Sequence, residues 1–198
     1  MIKLIIFDMS GVFSNAEDPP FVKKFAEEHG FDQVKFEKDY NRFVARAEVD
    51  EFDGDEAWQR LLDKYGLEGE PEKIIKELIE SKVFYKNSLE IIKIVKRKYK
   101  TAFLTNYNRK FWGYVKEKLD FDEYFDFGIV SYQIKARKPG PEGFKAIMDH
   151  FGVEPDETVF VDDSKGNVKK AAELGINAIH LKDMKDLARE LERFNISF

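Results

Sequence analysis

Residues Leu4, Ile5, Ile6 and Phe7 form an unbroken apolar run that ends abruptly in Asp8. A strand with one wet face alternates apolar and polar residues. A run without alternation suits a strand buried on both faces, as in a parallel sheet covered by helices. Similar runs recur at 102–104, 127–130, 159–161 and 178–181. Helical spacing separates most of them: Leu89, Ile92 and Val95 before the second run, Phe111, Trp112, Val115 and Leu119 after it, and Phe144, Ile147, Met148 and Phe151 after the third. Pro141 opens that last helix, and Gly175 closes another carrying Ala171, Ala172 and Leu174. The pattern predicts an α/β fold, a Rossmann-like parallel sheet with helices on both faces.

One interval breaks the alternation. Residues 14–86 carry four helical patterns and no strand. The first has Phe21, Val22, Phe25 and Ala26 behind Pro19-Pro20, and the second Phe36, Tyr40, Phe43 and Val44. The third has Ala57, Trp58, Leu61 and Tyr65, and the fourth Ile74, Ile75, Leu78 and Ile79 behind Pro71. The expected organisation is a core of residues 1–13 and 87–198 with an all-helical cap of residues 14–86 over the catalytic edge. The crossings at 14–18 and 85–88 are the candidate hinges. A chain of 198 residues has room for one sizeable core and such an appendage. The acidic stretch from Asp50 to Glu56 is no calcium loop. With Gly54 as the sixth position, Val49 would stand first and Arg60 twelfth, and neither is a usable ligand. Capping of the third helix by Asp53 or Asp55 is the expected role.

The absence of cysteine excludes disulfides, thiolate metal sites and a cysteine nucleophile. Net charge is −5, with lysine and glutamate interleaved, so no basic face for nucleic acid is expected. The densest basic run, Lys96-Arg97-Lys98-Tyr99-Lys100, closes a helix, where cations suit the dipole. No stretch has the length of a membrane span and Met1-Ile2-Lys3 leads directly into a strand, which predicts a cytoplasmic protein. His29, His150 and His180 lack ligand spacing. Oligomeric state is not legible.

The chemistry lies at the strand ends. Beyond Asp8 stands Ser10; the second strand runs out in Thr105-Asn106; Lys138 follows the third strand; the fourth ends in Asp162-Asp163-Ser164, with Asn167 one turn on. Open α/β sheets place ligands at these carboxyl edges. Three carboxylates at one edge repel one another unless a hard cation intervenes, and an oxygen-only set selects Mg²⁺. Lys138 and the Thr105 hydroxyl suit phosphoryl oxygens, and a carboxylate can attack phosphorus to give an aspartyl-phosphate.

The succession Asp8-Met9-Ser10-Gly11-Val12, Thr105-Asn106, Lys138-Pro139 and Asp162-Asp163-Ser164 resembles the haloacid dehalogenase superfamily over essentially the whole chain. The helical segment is similar to that superfamily's C1 cap. The resemblance implies five parallel strands with the first in the centre. It implies Asp8 as nucleophile and Mg²⁺ ligand, with Ser10 lending a backbone carbonyl to the metal. Thr105 and Asn106 would contact the phosphoryl group and Lys138 would neutralise it. Asp163 would ligate the metal directly, Asp162 through water, while Ser164 and Asn167 orient their loop.

Ser10 is the departure. Family phosphatases commonly carry aspartate there, to protonate the leaving group and then activate water. A serine hydroxyl cannot hold and return a proton as a carboxylate does, and losing such a group costs about 10²–10⁴ in rate. Three readings follow. One is a Mg²⁺-dependent phosphatase of small phosphorylated metabolites, slow or with a substitute acid such as Glu17, Asp18 or one from Asp50 to Glu56. The second is a catalytically impaired member that binds a phosphate ligand or protein partner. The third is a dehalogenase, which needs no metal and in this family lacks the paired acids found here at Asp162 and Asp163.

Overall fold

The computed structural model describes residues 1–16 and 18–197, with backbone alone for Asp18 and Pro19. Strand β1 (Leu4–Phe7) is followed by helices α1 (Asp18–Glu28), α2 (Gln33–Ala47), α3 (Gly54–Tyr65) and α4 (Pro71–Glu80). Helix α5 (Lys86–Val95) leads to β2 (Lys100–Thr105), α6 (Arg109–Val115), β3 (Phe127–Val130) and α7 (Ser131–Ile134). Helix α8 (Glu142–Phe151), β4 (Thr158–Asp162), α9 (Lys165–Glu173), β5 (Asn177–His180) and α10 (Leu187–Glu192) complete the order.

The five strands form one parallel sheet in the order β3-β2-β1-β4-β5, with β1 central as expected. All four β1 residues are fully buried, the environment their unbroken apolar run requires. One face packs Phe7, Phe103 and Phe125 with Phe13 and Phe121, ring centroids 5.1–6.3 Å apart. The other packs Ile6, Leu104, Phe144, Ile147 and Phe160. Alternate side chains thus feed two hydrophobic layers, the physical meaning of an α/β sandwich.

The four helices between β1 and α5 start and stop on local chemistry. Asp32 accepts the Lys35 N–H at 2.7 Å and Asp53 the Glu56 N–H at 2.8 Å, capping α2 and α3. Asp55, the alternative cap, instead pairs with Lys110 at 3.0 Å. Pro71 opens α4 and left-handed Gly66 ends α3. Their shared core is aromatic: Trp58 stands 5.2 Å from Tyr40 and 5.6 Å from Phe25, and Phe36 lies 4.8 Å from Tyr65. The two crossings are tied together. Asn15 N–H donates to Val83 O at 3.0 Å, Tyr85 N–H to Phe13 O at 2.9 Å, and the Asn15 amide bonds Val83 N and Ser81 O.

These helices sit over the carboxyl edge of the sheet. Glu48, Asp50 and Asp55 pair with Arg137, Arg109 and Lys110, which follow β3 and β2, at 2.8, 3.1 and 3.0 Å. Half-exposed pairs of this kind contribute at most about 1 kcal/mol each, so they set the orientation of the helices more than their stability. The basic run after α5 is solvated at Arg97, Lys98 and Lys100, as expected. Among the described residues no helix is long and apolar enough to cross a membrane.

Gly128 in β3 lies flat against the Phe103 ring, and an added Cβ would overlap that ring. Overpacking of this kind typically costs about 1–3 kcal/mol. Gly128→Ala is therefore expected to lower the thermal unfolding midpoint while leaving far-ultraviolet circular dichroism native.

Candidate active site

Parallel strands with β1 central bring four loops to one edge. The loop after β1 is tight: the N–H groups of Val12, Phe13 and Ser14 all reach Met9 O, at 3.0–3.2 Å, and Gly11 has φ +79°. A Cβ on Gly11 would overlap the Asp163 carboxylate, so glycine serves both the left-handed turn and the close approach of two loops. Asp8, Asp162 and Asp163 each offer a carboxylate oxygen within 4.8 Å of the others.

Lys138 binds this acidic group together. Its ammonium is 2.6 Å from Asp8 Oδ1 and 2.7 Å from Asp162 Oδ2, and all three residues are buried. Asp162 is saturated. Its Oδ1 accepts from Ser164 N–H at 2.7 Å and the Asn167 amide at 3.2 Å, and Oδ2 accepts from that amide as well as from Lys138. Asp163 is exposed by comparison. Thr105, 2% exposed, ends β2 beside Asp8's strand. The Asn106 side chain is taken up by Lys138. Its amide accepts Lys138 N–H at 2.9 Å and donates to Lys138 O at 3.1 Å, clamping the lysine's backbone.

Every site residue legible in the sequence therefore reaches the same edge, but Ser10 has company that the sequence did not announce. Ser10 Oγ lies 3.1 Å from Tyr107 Oη and 3.3 Å from Lys82 Nζ, and Lys82 donates to Tyr107 at 2.6 Å. Tyr107 follows β2 by two residues; Lys82 arrives from beyond α4. Of the substitute acids considered, Glu17 and the Asp18 side chain lie outside what is described. Asp50 and Asp55 are paired with Arg109 and Lys110.

The haloacid dehalogenase-like hydrolase model matches residues 2–175. The chain belongs to that family. Among its relatives, the phosphorylated carbohydrates phosphatase of Thermotoga maritima is 27% identical over 90% of this chain and 84% of its own length. The D-ribitol-5-phosphate phosphatase of Bacteroides thetaiotaomicron is 26% identical over 96% of this chain and 97% of its own. A crystal structure of an enzyme of this family from Bacteroides thetaiotaomicron, in complex with magnesium and inorganic phosphate, superposes with a TM-score of 0.72 at 26% identity. It covers 90% of this chain and 93% of that one.

The electrostatics of this hydrolase centre are those of a site short of positive charge. Burial raises the Asp8 carboxyl to about 7; Lys138 opposes the rise and Asp162 adds to it. Burial also raises Asp163, with Asp162 contributing. Burial works against charge on Lys138 as well, but Asp162 and Asp8 outweigh it and hold its ammonium above the usual lysine range. One lysine thus serves three carboxyl groups. The donor set is all oxygen, compact and under-neutralised, which fits a small hard dication.

Because Asp8 titrates higher in the folded chain than in the unfolded one, the unfolded chain releases its proton first as pH rises. The associated stability is present below about pH 4 and lost by about pH 7. Asparagine at position 8 has no such dependence. In EDTA, the melting midpoint of Asp8→Asn relative to the unsubstituted protein is expected to climb from pH 4 to pH 7 and then level off. A difference independent of pH across that window would contradict this electrostatic reading.

Proposed function

We propose that this hydrolase is a Mg²⁺-dependent phosphatase of small phosphorylated metabolites, acting through an aspartyl-phosphate on Asp8. The observation that carries the proposal is the convergence of Asp8, Asp162 and Asp163 around one buried lysine at the carboxyl edge. The two phosphatase relatives, matched over most of both chains, support a phosphorylated carbohydrate or polyol as the class of substrate.

In this reading Asp8, Asp163 and the Ser10 carbonyl would hold the metal, with Asp162 acting through water. The saturation of the Asp162 oxygens by Lys138, Ser164 and Asn167 supports that division. Bound Mg²⁺ would supply the positive charge that the carboxylates lack and help hold the phosphoryl oxygens. Asp8 attacks phosphorus, the ester oxygen departs, and water later cleaves the acyl-phosphate to regenerate Asp8. Lys138 neutralises phosphoryl charge as the bonds change, and the Thr105 hydroxyl orients it. Asn106 serves this step by fixing the backbone of Lys138, and by a contact of its own with the phosphoryl group.

Residues 14–86 act as the cap, and residues 1–13 with 87–198 as the catalytic core. The bonded pair of crossings, Asn15 with Val83 and Phe13 with Tyr85, is the flexing element between them. The cap's ion pairs with Arg109, Lys110 and Arg137 support a closed arrangement that excludes water from the acyl-phosphate. The alternative of a phosphate-binding member without turnover rests on Ser10 alone, whereas the convergence of Asp8, Lys138, Asp162 and Asp163 at one edge supports turnover.

Purified protein is expected to hydrolyse p-nitrophenyl phosphate with Mg²⁺, to lose that activity in EDTA, and to recover it when Mg²⁺ is restored. Asp8→Asn should reduce turnover by at least about 10³-fold, the scale on which removal of a nucleophile acts. Activity that survives Asp8→Asn would exclude the covalent route.

A further inference from the structure

Strand β5 ends at the same carboxyl edge as the catalytic loops, and its last residue is His180. The β4–β5 ladder pairs Asp162 with His180, and Leu181 N–H donates to Asp162 O at 3.0 Å. Past that bond the two main chains part, because Ser164 already stands at the N-cap of α9. The next carbonyl, Asp163 O, therefore meets a side chain in place of a backbone: His180 Nε2 lies 3.0 Å away. A carbonyl oxygen can only accept, so the ring nitrogen facing it carries the hydrogen and donates.

Asp163 O and Ser164 N–H belong to one peptide group, and that group is held at both ends. Ser164 N–H donates to Asp162 Oδ1 at 2.7 Å, while His180 donates to the oxygen. A planar peptide gripped at both polar atoms resists rotation about the bonds on either side of it. Such a rotation would swing the Asp163 backbone, and the carboxylate has little else to aim it. Asp162 is fixed by Lys138, Ser164 and Asn167, whereas among the described residues no other residue donates a hydrogen bond to the Asp163 carboxylate. Gly11 leaves that carboxylate space without holding it.

We propose that His180 is a positioning residue: by gripping the Asp163–Ser164 peptide it keeps the Asp163 carboxylate aimed, together with Asp8, at the place of the divalent cation. This role rests on the metal assignment in the phosphatase reading above and deepens it. His180 touches neither the reacting atoms nor the ligand oxygens. Its effect is preorganisation, since a carboxylate already aimed loses less freedom when a cation binds. Outer partners that orient ligands in this way typically contribute about 10–100-fold in metal affinity. The grip also joins the network centred on Lys138. His180 holds the peptide, the peptide bonds Asp162, Asp162 bonds Lys138, and Lys138 bonds Asp8. An edge strand that lends no group to the chemistry itself thereby sets one of the ligands.

Mg²⁺ affinity tests the role directly, measured by isothermal titration calorimetry without substrate. His180 is half-buried at the sheet edge, a place that accepts substitution more readily than the core. His180→Gln keeps an N–H at about the reach of Nε2. His180→Asn keeps the amide but is one bond shorter, and His180→Leu fills the space with no donor. His180→Leu and His180→Asn are expected to raise the Mg²⁺ dissociation constant by about 10-fold or more, while His180→Gln stays within about three-fold. At saturating Mg²⁺, kcat on p-nitrophenyl phosphate should return to within a few-fold in all three variants. KM for the ester should not move. A purely structural role would lower the melting midpoint in EDTA and leave Mg²⁺ affinity where it was. Unchanged Mg²⁺ affinity in His180→Leu and His180→Asn overturns the proposal, and so does equal weakening in His180→Gln. If the unsubstituted protein itself binds no Mg²⁺, the metal assignment fails and takes this role with it.

Discussion

A single buried ammonium holds the catalytic edge together. Lys138 reaches Asp8 at 2.6 Å and Asp162 at 2.7 Å, joining the loops after β1, β3 and β4 at one point. Removing one partner of a buried ion pair is costly because the charge left behind has lost both water and its counterion. The loops are therefore committed to one arrangement, and other features follow from it. Asn106 clamps the Lys138 backbone, Asn167 and Ser164 saturate Asp162, and Gly11 gives up a side chain so that Asp163 can approach. Lys138 nonetheless leaves the site acidic, since one cation faces three carboxyl groups. Burial raises the Asp8 carboxyl, Lys138 opposes the rise and Asp162 adds to it, and an oxygen set left under-neutralised in this way fits a small hard dication.

Much of this was legible from the chain alone, for a reason that lies in the sheet. Strands buried on both faces cannot alternate, so Leu4–Phe7 and Phe127–Val130 read out at their true ends, and the other three within one or two residues. Once the strands are placed, a parallel sheet dictates that the polar residue after each one meets its counterparts. Asp8, Thr105, Lys138, Asp162 and Asp163 were identifiable on that rule without any knowledge of their contacts. The starts of the third and fourth helices of the helical segment were equally plain, because Asp53 and Pro71 carry local signals that need no tertiary information.

What escaped the sequence depends on contacts that no local rule encodes. Tyr107 lies two residues past β2, between Asn106 and the helix-capping Asn108, and nothing in that neighbourhood distinguishes a phenol that reaches Ser10 from a core aromatic. Lys82 follows α4 in a stretch that reads as solvated. It reaches Ser10 only because Asn15 and Phe13 pair with Val83 and Tyr85 across the crossings. The clamp that Asn106 places on the backbone of Lys138 was hidden for a related reason, since its partner comes from the loop after another strand.

The same geometry changes what Ser10 means. As a lone substitution it removes an acid and argues for a weakened enzyme. In its surroundings its hydroxyl lies 3.1 Å from Tyr107 Oη and 3.3 Å from Lys82 Nζ, both on buried residues. Lys82 comes from beyond α4 and is placed by the bonds that Asn15 and Phe13 make with Val83 and Tyr85, so the surroundings of position 10 depend on how the helical segment meets the sheet edge. The ion pairs that Glu48, Asp50 and Asp55 form with Arg137, Arg109 and Lys110 fix that same meeting, which ties the helices to the site rather than leaving them a cover over it.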